Sequence, residues 1–229
     1  MQVTVLLLAA GSGRRFGSAI PKQYTTVEGH PLLFYGLRSL AKEPRISTVQ
    51  PVTAADDSMF QRCVQGASFP FRILPPVPGG ETRADSMSRG LRALSDDVEW
   101  VAVQDAARPM PSDQLLRQVL DDALEYGAAV PGVPVNDTIK EIDAHGRVIR
   151  TLQRDVLRAI QTPQVARRSW FVQAIDRLQD DLQAYTDDAS LLEAAGFPVF
   201  VSRGEWSNRK ITTPEDMAWL RQQIREGRA

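Results

Sequence analysis

The sequence predicts an α/β domain in which a mostly parallel sheet is covered by helices on both faces and a β-arm projects from it. Three observations predict this. Near-continuous apolar runs recur at 3–9, 47–52, 100–104, 128–133 and 198–202. Strands buried on both faces carry such runs in place of an alternating pattern. Segments of helical periodicity lie between them, as in βαβ units. One segment, 137–154, breaks the alternation with two short extended runs around Ala144-His145-Gly146, a hairpin signal.

The elements follow in order. VTVLLLA (3–9) is a buried strand, and it runs into a turn rich in glycine and arginine. PLLFYGLRSLAK (31–42) has apolar residues at helical spacing and opens on a proline, which suits a first helical turn. STVQPV (47–52) contains Pro51, and AAVPGV (128–133) contains Pro131. Each proline predicts an edge strand or one that starts later. TRADSMSRGLRALS (82–95) puts Ala84, Met87, Leu91 and Leu94 on one helix face. SDQLLRQVLDDALEYG (112–127) has a serine cap and a glycine stop. The hairpin at 137–154 cannot bury both of its faces alone, so it must lie on the main domain or on another chain. With 229 residues the chain suits one core, hence one domain, 1–229, with the arm inserted at about 137–154.

Composition narrows the chemistry. A net charge of −1 removes the electrostatic case for nucleic-acid or membrane binding. The single cysteine, Cys63, excludes an intrachain disulfide and a Cys-rich zinc site. No apolar run approaches the roughly 20 residues of a membrane span, and the strand-like start carries no basic leader, so a cytoplasmic location is expected. His30 and His145 are the only histidines, both in turn-like contexts, which leaves little for a Ser-His-Asp triad or a His-based metal site.

Ligands of such sheets bind beyond the carboxyl ends of the strands. The first glycine turn falls there, and so does Asp105 after WVAVQ. The turn is not a Walker A loop, because no Gly-Lys-Ser/Thr closes it. Gly11, Gly13 and Gly17 are spaced one residue too far apart for a dinucleotide fingerprint. Glycines with adjacent arginines and Lys22 nevertheless suit an anion cradle, against the plainer possibility of a turn with solvated charges. Asp105 could supply the carboxylate oxygen that a hard Mg²⁺ ion on a polyphosphate requires, or it could cap a helix or pair with Arg108. Arg154 and Lys210, taken singly, read as surface charges.

LAAGSGRRFGSAIPKQ, PGGETRADSMSRGL, VQDAARP, VNDTIK, TPQ, YTDDASLLEAAG and NRKITTPED occur in this order over nearly the whole chain. Together they resemble the 2-C-methyl-D-erythritol 4-phosphate cytidylyltransferase family of non-mevalonate isoprenoid synthesis. The resemblance implies a Rossmann-like three-layer α/β/α nucleotidyltransferase fold. It also implies transfer of CMP from CTP to the polyol phosphate, with release of pyrophosphate. Arg15, Lys22, Arg154 and Lys210 would be catalytic. Ala9, Ala10 and Gly11, with Gly80, Glu81 and Ser86, would hold the nucleotide. Arg108, Thr138, Thr162 and Thr186 would bind the second substrate, and Asp105 would bind Mg²⁺ or another divalent cation. A homodimer joined through the β-arm is expected, with no nucleic-acid or membrane partner.

The paucity of histidine fits this chemistry. A phosphate monoester has a second pKa of about 6, so the nucleophile is already largely a dianion near neutrality and needs no general base. Gln104, where relatives often carry His, departs from the family pattern, as do Arg158, Pro51 and Glu81. A pentitol-phosphate cytidylyltransferase, such as one acting on ribitol 5-phosphate, and a non-catalytic nucleotide sensor on the same fold remain the alternatives. Retention of Arg15, Lys22 and Asp105 together argues against the sensor.

Overall fold

The computed structural model describes residues 1–11 and 20–228, with the backbone alone at 179–181. Its strands are β1 (Val3–Leu8), β2 (Thr26–Val27), β3 (His30–Pro31), β4 (Ile46–Thr53), β5 (Arg72–Ile73), β6 (Val77–Pro78), β7 (Trp100–Asp105), β8 (Ala128–Pro134), β9 (Lys140–Ile142), β10 (Val148–Thr151), β11 (Arg158–Ile160), β12 (Gln164–Arg167) and β13 (Phe200–Arg203). The helices are α1 (Leu32–Leu40), α2 (Met59–Val64), α3 (Arg83–Arg92), α4 (Asp113–Tyr126), α5 (Arg168–Leu178), α6 (Asp188–Ala194) and α7 (Pro214–Arg225). Nine strands form the main sheet in the order β11-β8-β12-β7-β1-β4-β5, with β13 joining β8 and β6 joining β4. β7, β1, β4, β5 and β6 are mutually parallel, as are β8 and β13, while β12 runs antiparallel between β7 and β8. Among the described residues, no helix is long and apolar enough to cross a membrane.

Alternation within β1 and β7 explains why both strands read as unbroken apolar runs. Val3, Val5 and Leu7, with Trp100 and Ala102, pack into one core with Leu33 and Leu37 of α1 and Leu116 and Val119 of α4. Leu6, Val101 and Val103 point the other way, into a second core with Met87 and Leu91 of α3, Phe171 and Ile175 of α5, and Leu191 of α6. Successive side chains of a strand face opposite sides, so a central strand between two helical layers must be apolar throughout. This is the three-layer architecture expected from the sequence. A third, smaller core joins Leu32 and Tyr35 of α1 to Ile211, Met217 and Leu220.

Three expectations need correction or refinement, and two strands were not expected. Pro51 and Pro131 lie inside central strands, not at edges. Pro51 falls between the stretches of β4 that pair with β5 and β6, where Gln50 Nε2 donates to both Pro51 O (3.0 Å) and Pro75 O (2.8 Å). Pro131 O accepts from Gln161 N at 2.7 Å, opposite the break between β11 and β12. In both places the ladder is interrupted, so a missing N–H costs no strand pairing. Pro31 sits at the N-cap of α1, one residue before the helix. Finally, β11 and β12 carry no usable apolar signal, yet β12 occupies the middle of the sheet.

The arm forms as predicted. β9 and β10 make a separate two-stranded sheet, and Asp143 closes the turn by accepting from the backbone N–H groups of His145 (3.0 Å) and Arg147 (2.9 Å).

Candidate active site

A cavity of about 520 Å³ opens at the carboxyl ends of β1 and β7. It is lined by Leu8–Gly11, Lys22, Gln23, Gly80–Arg83, Ser86, Asp105–Ala107, Lys210 and Thr212. Parallel register places Leu8 beside Asp105, and Ala106 N donates to Leu8 O at 3.1 Å, so the two strands end together under the cavity. The side chain of Asp105 therefore projects where the sheet's ligand crevice was expected.

Three helix starts surround these strand ends, each built by local capping. Thr82 and Asp85 form a capping box at α3, Asp187 and Ser190 at α6, and Thr213 and Asp216 at α7. Such boxes satisfy backbone N–H groups that a helix leaves unpaired, and so they fix the angle at which the preceding loop arrives. The glycines before α3 allow close packing. A Cβ on Gly80 would lie 2.2 Å from Asp85 Cβ, and one on Gly79 would lie 2.4 Å from Ala10 Cβ. Ser86 Oγ accepts from Gly80 N (3.1 Å) and donates to Thr82 O (3.0 Å), which holds the loop against the helix.

On the opposite side, residues 22–24 make one 3₁₀ turn. Gln23 is buried beneath the first loop and donates to Ala9 O at 2.6 Å, while Lys22 Nζ donates to Ile211 O at 2.8 Å. Asn208, fully buried, donates to Thr162 O at 2.8 Å and anchors the loop that carries Lys210.

Charge concentrates on Asp105. Its Oδ2 accepts from Lys210 Nζ at 2.6 Å and its Oδ1 from Arg83 Nε at 3.2 Å. Arg83 then sends both terminal nitrogens to Asp188, each at 2.8 Å. Burial alone would raise the Asp105 carboxyl, but Arg83, Lys210 and Arg108 outweigh it and bring the group down to about 2. Asp105 is thus ionised at any working pH. Asp188 moves the other way, because its burial outweighs the attraction of Arg83. Burial also lowers Arg108, whose guanidinium donates to the carbonyls of Asn208 (2.7 Å) and Ile160 (3.4 Å) instead of pairing with Asp105.

Of the site residues predicted from sequence, Ala9, Ala10, Gly11, Lys22, Gly80, Glu81, Ser86, Asp105 and Lys210 meet at this cavity. Arg15 lies outside the described residues. Arg108 lines a neighbouring cavity of about 470 Å³ that shares Lys210. Thr162 is placed differently from expectation: it is buried, its hydroxyl accepts from Asp105 N (3.1 Å) and donates to Gln104 Oε1 (2.9 Å), and it lines neither cavity. Its contact is with the end of β7, not with the open space.

Thr138 and Arg154 lie exposed beside the arm, where Arg154 donates to Asn136 O at 2.7 Å, and Thr186 lies exposed before α6. Within one chain none of these three lines the cavity. Arg83, Asp188 and Gln23 escaped sequence reasoning, although all three stand inside quoted motifs. Asp188 adjoins the cap residue Asp187, Arg83 stands between the cap residues Thr82 and Asp85, and Gln23 follows a more conspicuous lysine.

Comparison with known proteins agrees with the fold. The family model of 2-C-methyl-D-erythritol 4-phosphate cytidylyltransferase (IspD) matches residues 3–226. The chloroplastic enzyme of that name from Oryza sativa subsp. japonica is 37% identical over 216 residues, which cover 94% of this chain and 72% of the relative. A bifunctional IspD/IspF enzyme from Nitrobacter hamburgensis is 40% identical over 94% of this chain, which spans only 53% of that longer protein. Among solved structures, the Thermus thermophilus cytidylyltransferase superposes with a TM-score of 0.79 at 31% identity, covering 98% of this chain and all of that one. The synthase from Anaerococcus prevotii gives 0.85 at 28% identity, covering 98% of both chains. The chain belongs to the 2-C-methyl-D-erythritol 4-phosphate cytidylyltransferase family.

Proposed function

We propose that the chain transfers a cytidylyl group from CTP to 2-C-methyl-D-erythritol 4-phosphate and releases pyrophosphate. The observation that carries this reading is the convergence of Lys22, Lys210 and an ionised Asp105 on one cavity at the carboxyl ends of parallel strands. The reaction brings two anions together and builds charge on the α-phosphate, so positioned cations matter more than a proton acceptor. The attacking phosphate monoester is largely dianionic near neutrality, and among the described residues no histidine lines the cavity. Lys22, with Arg15, stabilises charge on the triphosphate as pyrophosphate departs. Lys210 and Arg108, which line the neighbouring cavity together, hold the second phosphate. Ala9–Gly11, Gly80, Glu81 and Ser86 surround the cytosine, whose exocyclic amine backbone carbonyls can accept.

Asp105 would also hold a divalent cation. One buried, ionised carboxylate suits a hard ion that takes its remaining ligands from phosphate oxygens and water. Among the described residues no group of three or more His, Cys, Asp or Glu forms a cage of its own. Bound there, such an ion offsets phosphate charge during the transfer.

The same reading makes the protein a cytoplasmic homodimer in which Thr138 and Arg154 of each arm complete the partner's site. The homodimer is supported by exposed apolar residues, Ile142, Val148 and Ile149 on two strands that pair with no others among the described residues, and Val156 in the turn that follows them. A pyrophosphate-release assay crossing CTP, UTP, ATP and GTP with 2-C-methyl-D-erythritol 4-phosphate and ribitol 5-phosphate tests the assignment. Selective turnover of CTP with the methylerythritol substrate is expected. Preference for ribitol 5-phosphate, or no turnover with any pair, would overturn it.

A further inference from the structure

We infer that Arg83 and Asp188 form a positioning pair that fixes the Asp105 carboxylate and ties the nucleotide loop to the loop before α6. The inference rests on the reading of Asp105 as the carboxylate that the reaction uses. Arg83 is the first residue of α3, and Asp188 is the first of α6. These residues are 105 positions apart, yet both terminal nitrogens of Arg83 reach the two oxygens of Asp188 at 2.8 Å. A two-point fork of this kind fixes the plane of the guanidinium, not only its distance. Once that plane is set, the direction of Nε–H is set with it, and Nε meets Asp105 Oδ1 at 3.2 Å.

The two cations on Asp105 are unlike. Arg83 is held from behind by a carboxylate that is 3% exposed. Lys210 is 38% exposed on its side chain and sits on a loop. Oδ1 therefore has a fixed partner, while Oδ2 has one that can swing toward an arriving phosphate. Asp188 itself does not line the cavity. It acts through Arg83, the side chain to which both of its oxygens are bonded. A lysine at position 83 would keep the charge but lose the fork, since one ammonium cannot span both carboxylates in this geometry.

A double-mutant cycle in kcat separates this role from a merely structural one. Arg83→Gln and Asp188→Asn are purified with the double variant and compared by thermal unfolding and by initial-rate kinetics for both substrates. Each single variant should lower kcat by about 10-fold to 100-fold, with the CTP KM within about twofold, because misplacing a reacting group costs rate more than binding. The double variant should be no slower than the worse single, since Asp188 acts only through Arg83. Multiplying losses would overturn the inference, as would wild-type kcat in Asp188→Asn. So would a raised CTP KM at unchanged kcat in Arg83→Gln, which would make Arg83 a direct nucleotide contact. If Arg83→Gln does not fold, Arg83→Lys takes its place in the same cycle. An inactive wild-type chain would refute the functional reading itself, whereas an active chain with multiplying losses would refute only the positioning pair.

Discussion

Asp105→Asn keeps the side-chain shape at the end of β7 and removes one negative charge. Folded Asp105 is held at about 2 against an ordinary 3.8, so ionisation there is worth about 2 kcal/mol to the folded state. Breaking a buried pair from one side can cost about 3–5 kcal/mol. Here the cost falls below that range, at the value set by the ionisation, because Arg83 keeps Asp188 and the partly exposed Lys210 can turn to water. The sign follows from a folded value below the unfolded one. This stability is fully present above about pH 4 and is lost as the pH falls toward 2.

Urea unfolding of wild type and variant should therefore differ by about 2 kcal/mol at pH 7, and the gap should shrink to roughly half near pH 3. Asp188 contributes with the opposite sign, and because the Asp105 charge is one of the causes that raise it, the variant also relieves part of that cost. The rate of pyrophosphate release should fall by about 100-fold or more, with partial recovery only at much higher Mg²⁺. A gap that stays constant with pH would refute the electrostatic account of Asp105, and an unchanged Mg²⁺ dependence would move the metal site elsewhere.

Lys22→Ala and Arg15→Ala should each lower kcat by roughly 100-fold while leaving folding nearly intact, and a raised KM at unchanged kcat would remove the transition-state role. Co-expressed Lys22→Ala and Arg154→Ala chains should regain about a quarter of wild-type activity, because random pairing makes half the dimers mixed and each mixed dimer holds one intact site. Activity that stays at the level of the parents would place both residues in a site within one chain. Gly127→Ala should lower stability by about 1–3 kcal/mol in thermal unfolding, since φ there is +90° and the new Cβ would lie 2.2 Å from the Trp170 ring. An unchanged melting temperature would refute both the backbone strain at this φ and the clash with the ring.

Much of the fold was legible because burial on both faces leaves a plain mark. β1, β4, β7 and β8 are long apolar runs, and α1, α3 and α4 repeat at helical spacing. What escaped notice lacks that mark for identifiable reasons. β12 is four residues long, starts on a buried Gln164, and ends on Arg167, whose guanidinium lies 4.7 Å above the Trp100 ring. Its polar ends hide its central position. β5 and β6 are two residues each in a proline-rich stretch that reads as loop. The prolines of β4 and β8 looked like edge signals because a sequence does not show where a neighbouring strand is interrupted.

The site was legible to a different degree, and its motifs explain why. ETRADS, TDDAS and ITTPED each contain a capping box together with residues that meet or flank the cavity. Thr82 and Asp85 cap α3, while Arg83 between them faces Asp105. Asp187 caps α6, while its neighbour Asp188 grips Arg83. Cap and site residues alternate within the same short polar segments, Arg83 between Thr82 and Asp85 and Asp188 directly after Asp187. Composition and spacing therefore locate the segments without separating the two tasks. The separation arises in three dimensions, where capping fixes each helix start and the adjacent side chain is left pointing at the strand ends. That coupling also predicts how the site fails. Loss of a cap should first disturb the side chain beside it, so these motifs constrain stability and activity at neighbouring positions.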